Sequence, residues 1–307
     1  MDVINQVLVL FFLMLIGFVG RRVAVITHDM VSQFTVFVLN FSLPALILVS
    51  LQKDFSPDLL GQAGITLALS FSVYALSFAL AATYPRLLGL SPQERGVHRY
   101  AVIFSNVGFM GYPVVAAVLG EGALFNLAIY NIPFNVLAFS IGAWLIAKEG
   151  HRPLSLSWKT FINPSVVATV IGFACFLATI RFPAPLFQTL KMTGDITSPL
   201  SMILVGAILA DMDGRRIFGS WRYYVTVVLR LALIPLAVGI FLYVLGLRGL
   251  LFTLPVLVTA MPIAANTTIL ASVYQGDTEG ASALVFISTL LCVITIPFVA
   301  IFIKYGS

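Results

Sequence analysis

The chain has 307 residues, of which 60% are hydrophobic and 9% are charged, and its formal net charge is +5. Soluble globular domains carry about 25% charged residues, so this composition excludes an ordinary soluble protein. We expect an all-α polytopic membrane protein. The positive charge does not indicate nucleic-acid binding, because basic residues at the ends of membrane spans set their orientation.

A helix that crosses a bilayer needs about 20 mainly apolar residues. Ten stretches meet this requirement, and the short connections between them leave no room for a soluble domain. The predicted spans are residues 3–20, 30–51, 59–84, 98–119, 123–147, 163–181, 187–210, 223–246, 250–274 and 281–303. A signal peptide carries its positive charge before its apolar stretch, whereas here Asp2 precedes the first stretch and Arg21 and Arg22 follow it. We therefore expect the first stretch to be a retained span.

The loops differ in charge between the two sides of the membrane. Most of their Lys and Arg residues fall on the side that the chain reaches after its first span. Because loops rich in Lys and Arg stay inside, the sequence predicts that both termini lie outside.

The most polar connection, residues 148–153, divides the ten spans into five and five. This division predicts two repeats, residues 1–150 and 151–307, and the odd number of spans in each inverts the second repeat. The halves also match at an offset of 155 residues, where Gly17 aligns with Gly172 and Pro44 with Pro199. We therefore expect two inverted five-helix repeats.

The fourth and ninth spans are broken at corresponding places. Residues 104–113 and 259–268 each put proline beside small and polar residues inside an apolar segment. Proline removes a backbone donor and clashes with the preceding turn, so each helix should stop there. We expect Pro113 and Pro262 to start the second half-helices. Interrupted spans in corresponding halves indicate a transporter's binding site.

A half-helix N-terminus presents free N–H groups and a partial positive charge, which suit an anion such as a carboxylate. Asn131 and Asn135 lie four residues apart in the fifth span, so they share a helix face. The alternatives are kinked helices with packing prolines, and asparagines that only hydrogen-bond between helices. The predicted substrate-binding residues are Ser105, Asn106, Gly108, Gly111, Pro113, Asn131, Asn135, Pro262, Asn266 and Thr267.

Asp195 and Arg230 are candidates for coupling transport to H⁺ or Na⁺, because ionisable residues inside a membrane are costly and point to function. The alternative for Asp195 is an ion pair with Lys191, four residues earlier and near the outer interface, where a lysine side chain reaches water. Arg230 could balance the charge of the substrate or pair with an acid.

The sequence offers no pattern typical of catalysis or of a bound cofactor. Cys and His residues are not clustered at metal-ligand spacing, and no Walker A motif is present. The predicted spans hold no Ser/His or Cys/His pair for nucleophilic catalysis. We therefore expect neither an enzyme nor a resident metal or cofactor.

Two motifs resemble those of the auxin efflux carrier family. Residues Asn106–Pro113, which read NVGFMGYP, resemble its fourth-span signature, and Met261–Thr267 is similar to its ninth-span stretch. The short middle connection is similar to that of the bacterial malonate and malate permeases of this family. That likeness implies a location in a bacterial inner membrane.

The resemblance implies a fold similar to that of sodium/proton antiporters and bile-acid symporters. In that fold, helices 1, 2, 6 and 7 form a scaffold and a dimer surface. Helices 3–5 and 8–10 form a moving transport unit in which the broken helices 4 and 9 cross. The resemblance also implies an organic-anion substrate and a homodimer in the lipid bilayer.

Together these features predict a secondary active transporter that moves a small organic anion, with a carboxylate as the expected substrate, by alternating access. One alternative is a cation/proton antiporter of the same fold, although such proteins need carboxylates at the crossing point. The other alternative is an anion-binding membrane sensor, although the chain has no soluble output domain.

Overall fold

The computed structural model describes residues 3–149, 163–211 and 220–306. In that part of the chain every regular element is helical, and the only strand-like feature is an isolated bridge between Ser105 and Ile263. The all-helical fold class is therefore confirmed. Residues 150–153 of the polar connection, with the boundary between the predicted repeats, lie outside the described residues.

Among the described residues, seven helices are long and apolar enough to cross a membrane, which confirms a multi-pass membrane protein. Three shorter apolar helices fall inside the remaining predicted spans, and the total of ten spans stays a prediction. The long helices are Ile4–Arg22, His28–Ser50, Pro57–Leu87, Glu121–Glu149, Ala184–Ala210, Trp221–Val244 and Thr278–Ile303. The shorter ones are Val107–Leu119, Pro164–Leu177 and Leu250–Thr259.

Several of these spans are built from more than one helix. In chain order the α-helices are α1 (Val3–Arg22), α2 (His28–Phe37), α3 (Leu43–Ser50), α4 (Pro57–Ala81), α5 (Tyr84–Leu87), α6 (Pro92–Ile103), α7 (Tyr112–Leu119), α8 (Leu124–Leu137), α9 (Ala143–Glu149), α10 (Pro164–Leu177), α11 (Ala184–Asp195), α12 (Thr197–Ala210), α13 (Trp221–Val228), α14 (Ile234–Val244), α15 (Leu250–Thr259), α16 (Asn266–Val273) and α17 (Thr278–Gly306). Short π turns occupy Val38–Ser42, Val107–Gly111, Ala138–Gly142 and Leu229–Leu233, and a 3₁₀ turn occupies Glu121–Ala123.

Prolines explain where several π turns lie. The turns Val38–Ser42, Val107–Gly111 and Leu229–Leu233 each end two residues before a proline, namely Pro44, Pro113 and Pro235. In an α-helix the proline ring clashes with the carbonyl group four residues earlier. The wider π turn relieves that clash, so the span continues past the proline instead of ending there.

The described residues form two compact units, and the first comprises residues 3–67, 108–132 and 163–211. In it α1 packs against α12, while α3 packs against α10 and α11. A Cβ atom on Gly17 would overlap the carbonyl oxygen of Ile203, and one on Gly206 would overlap that of Met14. Glycine is therefore required for this close approach of two helix backbones.

The second unit comprises residues 68–107, 133–149 and 220–306. In it α6 packs against α9 and α17. The ring of Phe104, which directly follows α6, lies at the centre of an aromatic cluster and holds the end of this helix in place. Its neighbours, with ring centroids at 4.5 to 5.9 Å, are Tyr74, Phe78, Tyr100 and Phe134.

Candidate functional site

Both predicted breaks are present, and their non-helical residues, 104–106 and 260–265, lie in the second unit. Helix α6 ends at Ile103, and Phe104 is extended, with φ −106° and ψ 121°. Helix α15 ends at Thr259, and α16 does not begin until Asn266. The residue before a proline is driven out of the helical region, which explains why the chain cannot stay helical through Met261.

The second half-helices do not begin at the prolines, so that expectation is wrong. The first begins at the π turn starting at Val107, and the second begins at Asn266. Pro113 instead follows the π turn as the second residue of α7, and the wider π turn relieves the clash of its ring with the preceding turn. Pro262 lies within the irregular segment itself.

The two breaks pair with each other as short extended segments. The N–H of Asn106 donates to the carbonyl oxygen of Pro262 at 2.8 Å, and that of Ala264 donates to Phe104 at 3.1 Å. These bonds flank the antiparallel bridge between Ser105 and Ile263. Because freed backbone groups inside a bilayer must be satisfied by protein or by water in a cavity, this pairing makes the interruption of both helices tolerable.

A third helix holds the paired breaks. The N–H of Ile263 donates to the hydroxyl oxygen of Ser288 on α17 at 3.1 Å. Beside it, the Thr267 hydroxyl donates to the Ala264 carbonyl oxygen at 2.6 Å. Both hydroxyl-bearing residues are fully buried, so the breaks are fixed by local bonds as well as by each other.

Arg230 joins the ends of both broken helices. It is 0% exposed and lies in the π turn Leu229–Leu233. Its Nε donates to the carbonyl oxygen of Met261 at 3.2 Å, and its Nη1 donates to those of Val102 at 2.9 Å and Ile103 at 3.3 Å. The last carbonyls of a helix lack helical partners and carry a partial negative charge, so one guanidinium stabilises two interrupted helix ends.

The structure brings together some of the predicted substrate-binding residues. Ser105, Asn106, Pro262 and Thr267 are buried at the paired breaks, and Asn266 is half-buried at the start of α16. The second unit also contains Asn135, half-buried in α8. The N–H groups of Thr267 and Thr268 already donate to the carbonyl oxygens of Ala264 and Ala265, so the first turn of α16 has fewer free donors than an ideal helix start.

Other predicted residues belong to the first unit. Gly111 and Pro113 are buried, Asn131 is 6% exposed in α8, and Gly108 is half-buried. A Cβ atom on Gly108 would meet no other atom within 4 Å, so there is open space beside its backbone.

Asp195 is also in the first unit, at the end of α11. Its carboxylate oxygens each accept from the ammonium group of Lys191 at 3.1 Å. The two side chains are 53% and 40% exposed, respectively. The ion pair that was the alternative interpretation of Asp195 is therefore present.

Sequence reasoning missed the partners of Arg230 and the role of Ser288. The acceptors of Arg230 are backbone carbonyls, which every residue possesses, so no sequence signal marks them. It also missed His98 in α6, which is fully buried and bonded through Nδ1 to Thr226 at 2.6 Å. A polar residue beside an apolar run was the available signal for it.

Comparisons with known proteins show likeness along the whole chain. Residues 2–154 and 151–300 match the family described as "Membrane transport protein". The chain is 28% identical over 301 residues to an "Uncharacterized transporter" of Methanothermobacter thermautotrophicus, covering 95% of this chain and 96% of that one. It is 23% identical over 316 residues to a "Putative malonate transporter" of Rhizobium meliloti, covering 100% and 97%. It is 25% identical over 303 residues to the "Uncharacterized transporter YfdV" of Escherichia coli, covering 96% and 95%.

Proposed function

Because this chain belongs to the membrane transport protein family, that of the auxin efflux carriers, we propose that it is a secondary active transporter for a small organic anion. It binds the anion at the paired breaks and moves it by alternating access. The observation that carries the proposal is the fully buried guanidinium of Arg230 at the ends of both broken helices.

Charge at the breaks favours an anion over a cation. Arg230 brings a positive charge, while the polar side chains at the breaks are the neutral ones of Ser105, Asn106, Asn266 and Thr267. Within the predicted spans the sequence has one acidic residue, Asp195, whose side chain is 53% exposed. A buried positive charge in a low dielectric attracts an anion and repels a cation.

The available donors suit a carboxylate in particular. Asparagine amides and threonine and serine hydroxyls donate to carboxylate oxygens, and hydrogen bonds to a charged acceptor are stronger than neutral ones. One relative bears the name "Putative malonate transporter". We therefore choose malonate and malate as the substrates to test.

Packing within the first unit supports inverted repeats. The buried hydroxyls of Ser42 and Thr197 are joined at 3.0 Å, and they are 155 residues apart. This is the offset at which Pro44 aligns with Pro199. Equivalent residues of two repeats meet where a pseudo-two-fold axis passes between them.

We take the arrangement of the spans and the oligomeric state from the resemblance to the auxin efflux carriers. Ten spans would form a scaffold from helices 1, 2, 6 and 7 and a transport unit from helices 3–5 and 8–10, with helices 4 and 9 crossing at their breaks. The packing of α1 on α12 and of α3 on α10 and α11 supports the grouping of the scaffold helices. The protein would be a homodimer in a bacterial inner membrane, with both termini outside.

The test is exchange of labelled malonate or malate across proteoliposomes that hold the purified protein. Arg230→Gln should reduce exchange at least about tenfold, because a hydrogen bond to a charged group is worth roughly 1.5–3 kcal/mol. Arg230→Lys keeps the charge but not the forked geometry, so it should retain part of the activity. Arg248→Gln is the control, since Arg248 is an exposed arginine that contacts the ring of Tyr243.

Three results would contradict the proposal. Unchanged exchange in Arg230→Gln would remove Arg230 from the site. Sodium/proton exchange without any flux of malonate or malate would favour the antiporter alternative. Saturable binding of malonate without flux would favour the sensor alternative.

A further inference from the structure

A series of polar contacts, here named the polar ladder, joins α6 to the eighth predicted span. The contacts recur every four residues along both helices, which is about one helical turn. The ladder therefore advances turn by turn from the start of α6 to the break that follows it. Its pairs are Glu94 with Arg222 at 4.0 Å, His98 with Thr226 at 2.6 Å, and the carbonyl oxygen of Val102 with Arg230 at 2.9 Å.

The middle pair leaves a buried basic nitrogen unused. The Thr226 hydroxyl donates to the carbonyl oxygen of Arg222 at 3.1 Å, so its oxygen accepts the Nδ1–H of His98. The other ring nitrogen, Nε2, then carries a lone pair. His98 is 0% exposed, and its Nε2 has no hydrogen-bond partner among the described residues.

The ring is held firmly in this position. The backbone carbonyl oxygen of His98 accepts a hydrogen bond from the Tyr84 hydroxyl at 2.6 Å. The imidazole ring of His98 stacks on the ring of Tyr223, with centroids 5.9 Å apart. A buried polar atom without a partner requires an explanation. Packing does not supply one, because a leucine or phenylalanine would fill the same volume without an unpaired nitrogen.

We propose that Nε2 of His98 is the proton-binding site that couples anion transport to a proton gradient. This inference rests on the proposed function, since it names the coupling ion of that carrier. One proton from the aqueous phase binds to the lone pair of Nε2, which gives an imidazolium with N–H groups on both sides. The same proton leaves from Nε2 when the anion is released.

Acidic groups provide an entry for the proton at the start of the ladder. Glu94 and Arg222, whose charges act on the His98 ring, have side chains 25% and 35% exposed. Asp277 lies just before α17, and burial, together with the charges of Glu94 and Glu279, raises its pKa above the usual range for a carboxyl group. Further charged or titratable groups lie on the elements packed against α6. They include Tyr84 and Arg86 on α5, Lys148 and Glu149 on α9, Tyr223 and Tyr224 on α13, Tyr274 after α16, Cys292 on α17, and Arg230.

The ladder explains why the proton and the anion would move together. An imidazolium at His98 adds a second positive charge one helical turn from the contact of Arg230. Like charges in a buried site oppose each other, and a bound carboxylate at the break offsets this opposition. Each ligand should then strengthen binding of the other by the same factor, within the roughly 5- to 150-fold range of such coupling.

The experiment separates coupling from transport itself. Proteoliposomes are loaded with unlabelled malonate to measure exchange, or left empty under an imposed proton gradient to measure accumulation of labelled malonate. His98→Gln should lose at least about tenfold in gradient-driven accumulation while exchange stays within about threefold, because coupling and binding are separate free energies. His28→Gln is the matched control, since His28 has a 79% exposed side chain beside Asp211 in the first unit.

The outcomes distinguish the two proposals. Equal accumulation by the wild type and His98→Gln would overturn the coupling role. Absence of malonate and malate exchange by the wild type would overturn the proposed function, and this inference with it.

A second measurement follows His98 in the wild-type protein itself. Nitrogen-15 labelling of the histidine rings allows the titration of His98 in the wild-type protein to be followed by NMR, with His98→Gln serving only to assign its signal. Malonate should raise the titration midpoint of His98 by about one pH unit, which corresponds to a tenfold coupling. A midpoint that is the same with and without malonate would overturn the proposal.

Discussion

The contact between α1 and α12 gives a prediction that can be worked out from the structure. A methyl group on Gly17 or Gly206 would overlap a carbonyl oxygen of the facing helix. Backbone atoms cannot move aside as a flexible side chain can, so the two helices must separate. Overpacking of this kind costs about 1–3 kcal/mol, and the gain in helix propensity from glycine to alanine is at most about 1 kcal/mol.

We therefore expect Gly17→Ala and Gly206→Ala each to lower the free energy of unfolding, and the midpoint of thermal unfolding to fall by roughly 2–4 °C per kcal/mol. Gly64→Ala in α4 is the control, because a Cβ atom there meets nothing within 4 Å. It should leave the midpoint unchanged or raise it. The assay is thermal unfolding of the purified protein in one detergent.

The double variant sharpens this test. Once one methyl group has pushed the helices apart, the second meets less resistance, so the combined loss should be smaller than the sum of the single losses. Full stability of Gly17→Ala and Gly206→Ala, equal to that of Gly64→Ala, would refute the close backbone contact.

Two further predictions concern the second unit. Ser288→Ala removes the acceptor of the buried Ile263 N–H, which should lower the free energy of unfolding by about 1–3 kcal/mol. Thermal unfolding measures this loss. Ser282→Ala, on the exposed side of the same helix, is the control and should change the stability little. Burial alone would raise the pKa of Glu94, but its bonds with Ser91 and nearby positive charges outweigh burial and hold that pKa below the usual value. Its contribution to stability is then present above the pKa of the unfolded chain and is lost as pH falls through the lower folded pKa. Glu94→Gln should therefore make unfolding less dependent on pH in the acidic range, and an unchanged pH dependence would contradict this.

Much of the fold could be predicted from the sequence, because membrane spans and proline breaks are local sequence patterns. The all-helical, multi-pass class is confirmed, and so is the family, which two motifs around Asn106–Pro113 and Met261–Thr267 indicated. The pairing of Lys191 with Asp195 also follows from local spacing, since residues four apart share a helix face.

The candidate site was less predictable because its bonds join distant segments through the backbone. Pro113 was expected to start a half-helix, but a π turn ahead of it lets the helix begin at Val107. Arg230 was recognised as an unusual charge, yet its acceptors are the carbonyl groups of Val102, Ile103 and Met261. Their identity depends on how three helices meet, and no side-chain pattern encodes it.

The π turn at Leu229–Leu233 has a consequence for which side of the eighth predicted span faces inward. Four residues of an α-helix rotate through about 400°, so positions spaced by four drift by about 40° at each step. A π turn adds roughly one residue and turns the rest of the helix back by about 100°. Five residues at intervals of four consequently stay on one inward-facing side, and an α-helical turn of the same residues in place of the π turn would rotate the part of the helix that follows away from that side. These residues are Thr226, Arg230, Ile234, Val238 and Leu242, all at most 1% exposed.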